Sequence, residues 1–75
     1  MSFLNFHQLG VLNGQVTQRW AVVGVSDVQL GMIKWHAPWR KYCFLPEANM
    51  IFDEFCLHEI ADFVRTQTFS QKGKS

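Results

Sequence analysis

Positions 34–42 hold the side chains with the most chemical potential in this chain. Lys34, Trp35, His36, Trp39, Arg40, Lys41 and Tyr42 alternate cations or imidazole with aromatic rings. Aromatic faces can stack on bases while Lys and Arg follow phosphates, so the run is a candidate nucleic-acid surface. The same residue types dominate protein–protein interfaces, and there Trp39 and Arg40, adjacent after Pro38, would be the anchors. A third reading is purely architectural. Trp35 and Tyr42 would be core rings, Lys34 and Lys41 the solvated side of the same strands, and Trp39 would fold back over the helix.

Other constellations are weaker. Cys43, Cys56, His58 and His36 are suitable zinc ligands by type. No C-x-x-C pair is present, and at 100° per residue His58 lies about 200° round a helix from Cys56. Two buried small hydrophobes account better for the cysteines, and no metal or other cofactor is expected. A nucleophilic cysteine needs an exposed electropositive setting, whereas both cysteines follow core periodicity. The carboxylates Asp53, Glu54, Glu59 and Asp62 fall at a helix start and along its outer face, the usual places for caps and solubilising charge. Neither a phosphate-binding glycine loop nor a nucleophile elbow is present. An enzyme is not expected, nor is a small-molecule substrate.

Composition narrows the classes further. A chain of 75 residues supports one domain near the lower limit for stability by burial alone. With 48% hydrophobic and 15% aromatic residues it has ample apolar surface to order itself. Only 17% of residues are charged, against about 25% in ordinary domains, so an apolar surface or self-association is expected. The net charge of +1 is small for a protein that grips duplex DNA mainly through phosphates. No segment approaches the ~20 apolar residues of a membrane span, and the N-terminus lacks the pattern of a secretion signal. The expected location is cytoplasmic, with the two thiols reduced.

These residues need elements to position them. Gln15 to Ser26 is rich in β-branched and aromatic residues and reads as a strand apolar on both faces. Trp20 and Val22 would face one side, Ala21 and Val23 the other. From Gly31, Ile33 and Trp35 point one way while Met32, Lys34 and His36 point the other. Ala37-Pro38 interrupts the ladder and turns the chain into a third strand, Arg40 to Leu45. Asp53 reads as a helix cap, with Phe52 and Leu57 placed for a hydrophobic staple. Residues 56, 57, 60, 61, 63 and 64 then form the apolar stripe of a helix over Phe55–Thr66.

The expected fold is α+β: a three-stranded antiparallel sheet with one C-terminal amphipathic helix on one face, and either an extra strand or an arm at the N-terminus. Residues 1–14 would be an N-terminal arm or hairpin: Phe3, Leu4, Phe6 and Leu9 line one side of a short helix capped by Ser2 or form an irregular apolar arm, or Leu9 to Leu12 pairs with Gln15 to Gln18 across a turn at Asn13-Gly14. Residues 15–69 would form the domain and 70–75 a mobile tail.

The spacing Gly31-x-Ile33-x-Trp35, Trp39-Arg40-x-Tyr42-x-Phe44-x-Pro46 and Phe52-x-x-x-Cys56-Leu57-x-x-Ile60-Ala61-Asp62-Phe63 resembles a group of short phage and prophage proteins of uncharacterised activity. The resemblance spans roughly residues 19 to 66. It implies a phage accessory protein working in the host cytoplasm and carries no catalytic residue with it. The expected function is binding without catalysis, to a host or phage protein or to itself as a homodimer. Nucleic-acid binding through residues 34–42 is the alternative.

Overall fold

The computed structural model describes residues 4–11 and 16–72. Four strands, β1 (Asn5–Val11), β2 (Gln18–Val23), β3 (Gln29–His36) and β4 (Lys41–Pro46), precede one helix, α1 (Glu54–Lys72). The strands form a single antiparallel sheet in the order β1-β2-β3-β4.

The sheet therefore has four strands, not three. The additional strand is the N-terminal arm, which pairs with β2 from Asn5↔Val23 to Val11↔Gln18. Its alternation is hard to read because the register shifts between Gln8 and Gly10, where Gly10 takes φ 83°. The bulge leaves Leu9 unpaired and sets Gly10 opposite Arg19 and Val11 opposite Gln18, one place out of the alternation that Leu4 and Phe6 begin. Ser2, Phe3 and the turn expected at Asn13-Gly14 lie outside the described residues.

β2 is shorter than the run 15–26 because Gly24 to Val28 winds into a tight turn. The Gly24 N–H donates to Val28 O at 2.8 Å, and Ser26 and Asp27 both take positive φ. Between β3 and β4, Pro38 starts a short 3-10 turn, Ala37–Trp39. Arg40 closes it in the left-handed region, its N–H directed at His36 O (2.9 Å) and Ala37 O (3.1 Å).

One face of the sheet carries the core. Leu4, Trp20, Val22, Ile33, Tyr42 and Ile60 are buried together, with Phe6, Leu30, Trp35, Phe44, Phe52, Cys56, Phe63 and Val64 packed around them. The helix begins where Asp53 Oδ1 accepts the Cys56 N–H at 2.9 Å, the N-cap bond expected. The staple does not form as expected: Phe52 meets Phe44 edge-on at 5.6 Å, while Leu57 remains 52% exposed. The helix also runs six residues past the expected end at Thr66, to Lys72. Half-buried Gln67 and Gln71 continue its inner side, so polarity hid the periodicity, and Gly73 follows directly. Ser70 to Lys72 thus belong to α1, while residues 73–75 lie outside the described residues.

Gly31 sets how closely β3 and β4 sit under Phe44. A Cβ there would lie 2.5 Å from Leu45 O and 2.6 Å from the Phe44 ring. Gly31→Ala is expected to destabilise the fold by ~1–3 kcal/mol through overpacking, read as a lower urea midpoint at unchanged slope. A midpoint equal to the parent's would contradict this close approach.

Candidate functional site

Strand alternation separates the run 34–42 into three places. Trp35 and Tyr42 point to the helix side, Lys34, His36 and Lys41 to the opposite side, and Trp39 with Arg40 sits at the connecting turn. Tyr42 is 2% exposed and lies in the middle of the core. It meets Trp20 edge-on at 5.3 Å and Trp35 edge-on at 5.2 Å. Its hydroxyl accepts the Gln18 N–H at 3.2 Å, and its own N–H donates to Thr68 Oγ1 at 2.9 Å. Trp35 and Tyr42 are therefore structural rings, as the architectural reading has it, and the seven residues do not share one surface. A period of two cannot present neighbours on one face.

The opposite face has no described element over it. Its central row runs His7, Ala21, Met32, Leu45 across the four strands. Ala21 is nonetheless 9% exposed, sheltered between longer neighbours. Val23 and Cys43 extend this aliphatic centre. Around it stand Arg19, Lys34 and Lys41, with Lys34 opposite Cys43 and His36 opposite Lys41. Arg19 Nε is buried and has no acceptor among the described residues. None of the four strands contains Asp or Glu. The acids lie elsewhere: Asp27 in a turn, Glu47 after β4, and Asp53, Glu54, Glu59 and Asp62 at or along α1.

Trp39 marks one corner of this face. Its ring is 65% exposed and stands edge-on to His36 at 4.8 Å. It contacts its own hairpin and does not fold back over the helix.

The remaining candidates are dispersed. Cys43 lies on the uncovered face, whereas Cys56 packs into the core on the other side of the sheet. His58 pairs with Asp62 at 3.4 Å on the outer side of α1, where Arg65 also approaches Asp62 at 3.6 Å. Among the described residues no group of three or more His, Cys, Asp and Glu side chains could hold a metal ion. The Asp53 carboxylate hydrogen-bonds Cys56 and holds its thiol above the ordinary value, with burial and the Asp53 charge adding to the effect. A thiol held in that form is a poor nucleophile. No helix is long and apolar enough to cross a membrane among the described residues.

No family model, curated protein or solved structure matches this chain.

The cap makes a pH prediction. The Cys56 N–H bond, first among its causes, lowers the Asp53 carboxyl below its ordinary value. A depressed carboxylate stabilises the fold above its unfolded pKa, and that contribution disappears as pH falls through the folded value. Stability followed by thermal melting should therefore decline on acidification below the ordinary Asp range. Asp53→Ala should be less stable at neutral pH and should lose part of that decline. An identical acid profile in the variant would show that the cap bond is not formed in solution.

Proposed function

We propose that this chain is a non-catalytic binding module that engages an acidic protein partner through the uncovered face of its sheet. The observation that carries the reading is the make-up of that face: an aliphatic centre ringed by Arg19, Lys34 and Lys41, with no carboxylate on any strand. Such a surface fits a partner with an apolar patch inside a carboxylate rim, since complementary potential steers encounter and selects the partner. The Trp39 ring, exposed at the corner beside His36, is the aromatic anchor. A phage accessory role, modulating a host or phage factor, belongs to the same proposal and rests on the residue spacing alone.

Two alternatives are less well supported. A single-strand binding sheet presents successive rings to successive bases, but here Trp35 and Tyr42 are spent in the core. Pairing of the face with itself is also disfavoured. An isologous contact sets the same patch against its copy, so the cations would meet cations.

The test is capture from nuclease-treated host lysate, followed by titration of the purified captured protein against variants. Met32→Asp and Trp39→Ala should each weaken binding by ~2 kcal/mol or more, as central anchors do. Lys34→Glu should mainly slow association and flatten its salt dependence. Oligonucleotide binding that falls steeply with salt and is lost in the Arg40→Ala, Lys41→Ala double variant would replace this reading with the nucleic-acid one. Binding indifferent to Met32→Asp, Trp39→Ala and Lys34→Glu alike would remove the face from consideration.

A further inference from the structure

A hollow lies beside the outer edge of β4, apart from the sheet face. The C-terminal half of α1 overhangs that edge, and Ala61, Val64, Arg65, Thr68, Phe69 and Lys72 recur there at the spacing of one side of a helix. With Lys41 and Tyr42 on the strand side they line an open groove of about 460 Å³, a size within the ~300–1,000 Å³ of small-molecule sites. The helix rises about 16 Å from Ala61 to Lys72, so a slender ligand can lie along it. The strand edge itself is closed to another strand. Thr68 Oγ1 accepts the Tyr42 N–H, and Pro46 at the far end has none to offer.

Every charged side chain on the lining is a cation: Lys41, Arg65 and Lys72. Helix and strand run antiparallel, since Thr68 bonds Tyr42 while Phe52, just before the helix, meets Phe44. Lys41 therefore stands opposite the last turns of α1, and Arg40 lines the next hollow at that end, beside Lys72. Two turns back, Ala61 and Val64 supply an aliphatic floor, and exposed Leu57 continues their stripe. Lys41 has no ion-pair partner among the described residues. Arg65 approaches Asp62 at 3.6 Å, but the two side chains are 81% and 57% exposed. Such a pair holds weakly in water, and the five guanidinium donors leave several to spare for another acceptor. Lys72 sits over the negative end of the helix dipole, so the positive character of the groove is set by Lys41 on one wall and Arg65 on the other.

We propose that this groove binds an anionic amphiphile, a single-chain aliphatic carboxylate, with its head between Lys41 and Arg65 and its chain along Ala61 and Val64 towards Leu57. The sign of the lining selects the head, since a carboxylate accepts charge-assisted hydrogen bonds from ammonium and guanidinium alike. The floor selects the tail. Between the aliphatic residues the polar side chain is Thr68, whose oxygen is already engaged by the Tyr42 N–H. A peptide laid in the same place would set backbone N–H and C=O groups against Ala61 and Val64 without partners, whereas methylene groups need none. Phe69, 82% exposed, forms a side wall whose apolar surface leaves water when the chain is seated. The site shares Lys41 with the rim of the sheet face and nothing of its aliphatic centre, so it stands apart from the acidic-partner reading.

Titration of the full chain with sodium decanoate below its micelle concentration, followed by backbone amide resonances, tests the assignment. Saturable binding of one molecule per chain is expected, with shifts gathered at Tyr42, Ala61, Val64 and Phe69. Decanol, which lacks the charge, should bind about 10-fold more weakly, and the Lys41→Gln, Arg65→Gln double variant should lose about 10-fold for decanoate, as two exposed ion pairs allow. Ala61→Phe, at an exposed position, should fill the floor and abolish binding with an unchanged circular-dichroism spectrum. Lys34→Glu, on the sheet face, should leave decanoate binding intact, so failure of this inference and failure of the partner reading are separable. Binding that never saturates, equal affinity for decanol, or indifference to both the double variant and Ala61→Phe would each overturn the proposal. Attachment to phosphatidylglycerol vesicles with no binding of decanoate would overturn it too, in favour of a membrane surface.

Discussion

Phe63 is the contact on which the architecture rests. Its ring stacks on Phe6 with centroids 4.0 Å apart and planes 2° from parallel, and it meets Trp20 edge-on at 5.3 Å. Trp20 continues to Tyr42 and Tyr42 to Trp35. One chain of rings thus passes from β1 through α1 and β2 to β4 and β3. Each pair contributes roughly 0.5–1.5 kcal/mol beyond area burial, a large share for a domain near the size limit for self-sufficient folding. Phe6 stacked on Phe63 is what converts the N-terminal arm into a strand seated under the helix.

That arrangement has a cost on the other side of the sheet. Rings gathered under α1 are rings withheld from the opposite face, which is left with Ala21, Val23, Met32, Cys43 and Leu45 and their basic surround. Packing and recognition are coupled here through the two-residue period of the strands. Tyr42 can tie three elements together only because its neighbours Lys41 and Cys43 point away from the core. A nucleic-acid platform and this core would compete for the same aromatic residues, and the core has them.

Much of this was legible from residue order, and the exceptions share a cause. Alternation in GMIKWH and KYCFLP separated Ile33 and Trp35 from Lys34 and His36, and Tyr42 and Phe44 from Lys41 and Cys43, on the sides the structure shows. Asp53 was legible as a cap because its type and position match the N–H groups it serves. The misreadings arise where periodicity is interrupted or disguised. The register shift at Gly10 breaks the phase of β1, so residue order left the segment open between an arm, a hairpin and an extra strand. Gln67 and Gln71 occupy inward positions of α1 without being apolar, so the helix seemed to stop early. Leu57 and Ala61 keep the helical period but lie beyond the width of the sheet, which no pattern within the helix could reveal. The run 34–42 is contiguous along the chain yet divided in space, as the reading of Trp35 and Tyr42 as core rings required.

The separation of charge follows from the same geometry. Acids concentrate where they support the helix: Asp53 bonds the first-turn N–H of Cys56, Glu54 stands in that positive first turn, and Asp62 is flanked by His58 and Arg65. Arg19, Lys34 and Lys41 remain on the strands, and Lys34 and Lys41 are exposed, with aliphatic stems that can lie along apolar neighbours while the charged ends reach water. With so few charged residues in total, placing most of the acids at the helix leaves the sheet face basic. A near-neutral chain can therefore present two surfaces of quite different electrostatic character. The sum of +1 describes neither surface, because what a partner meets is the local arrangement of charge and not its total.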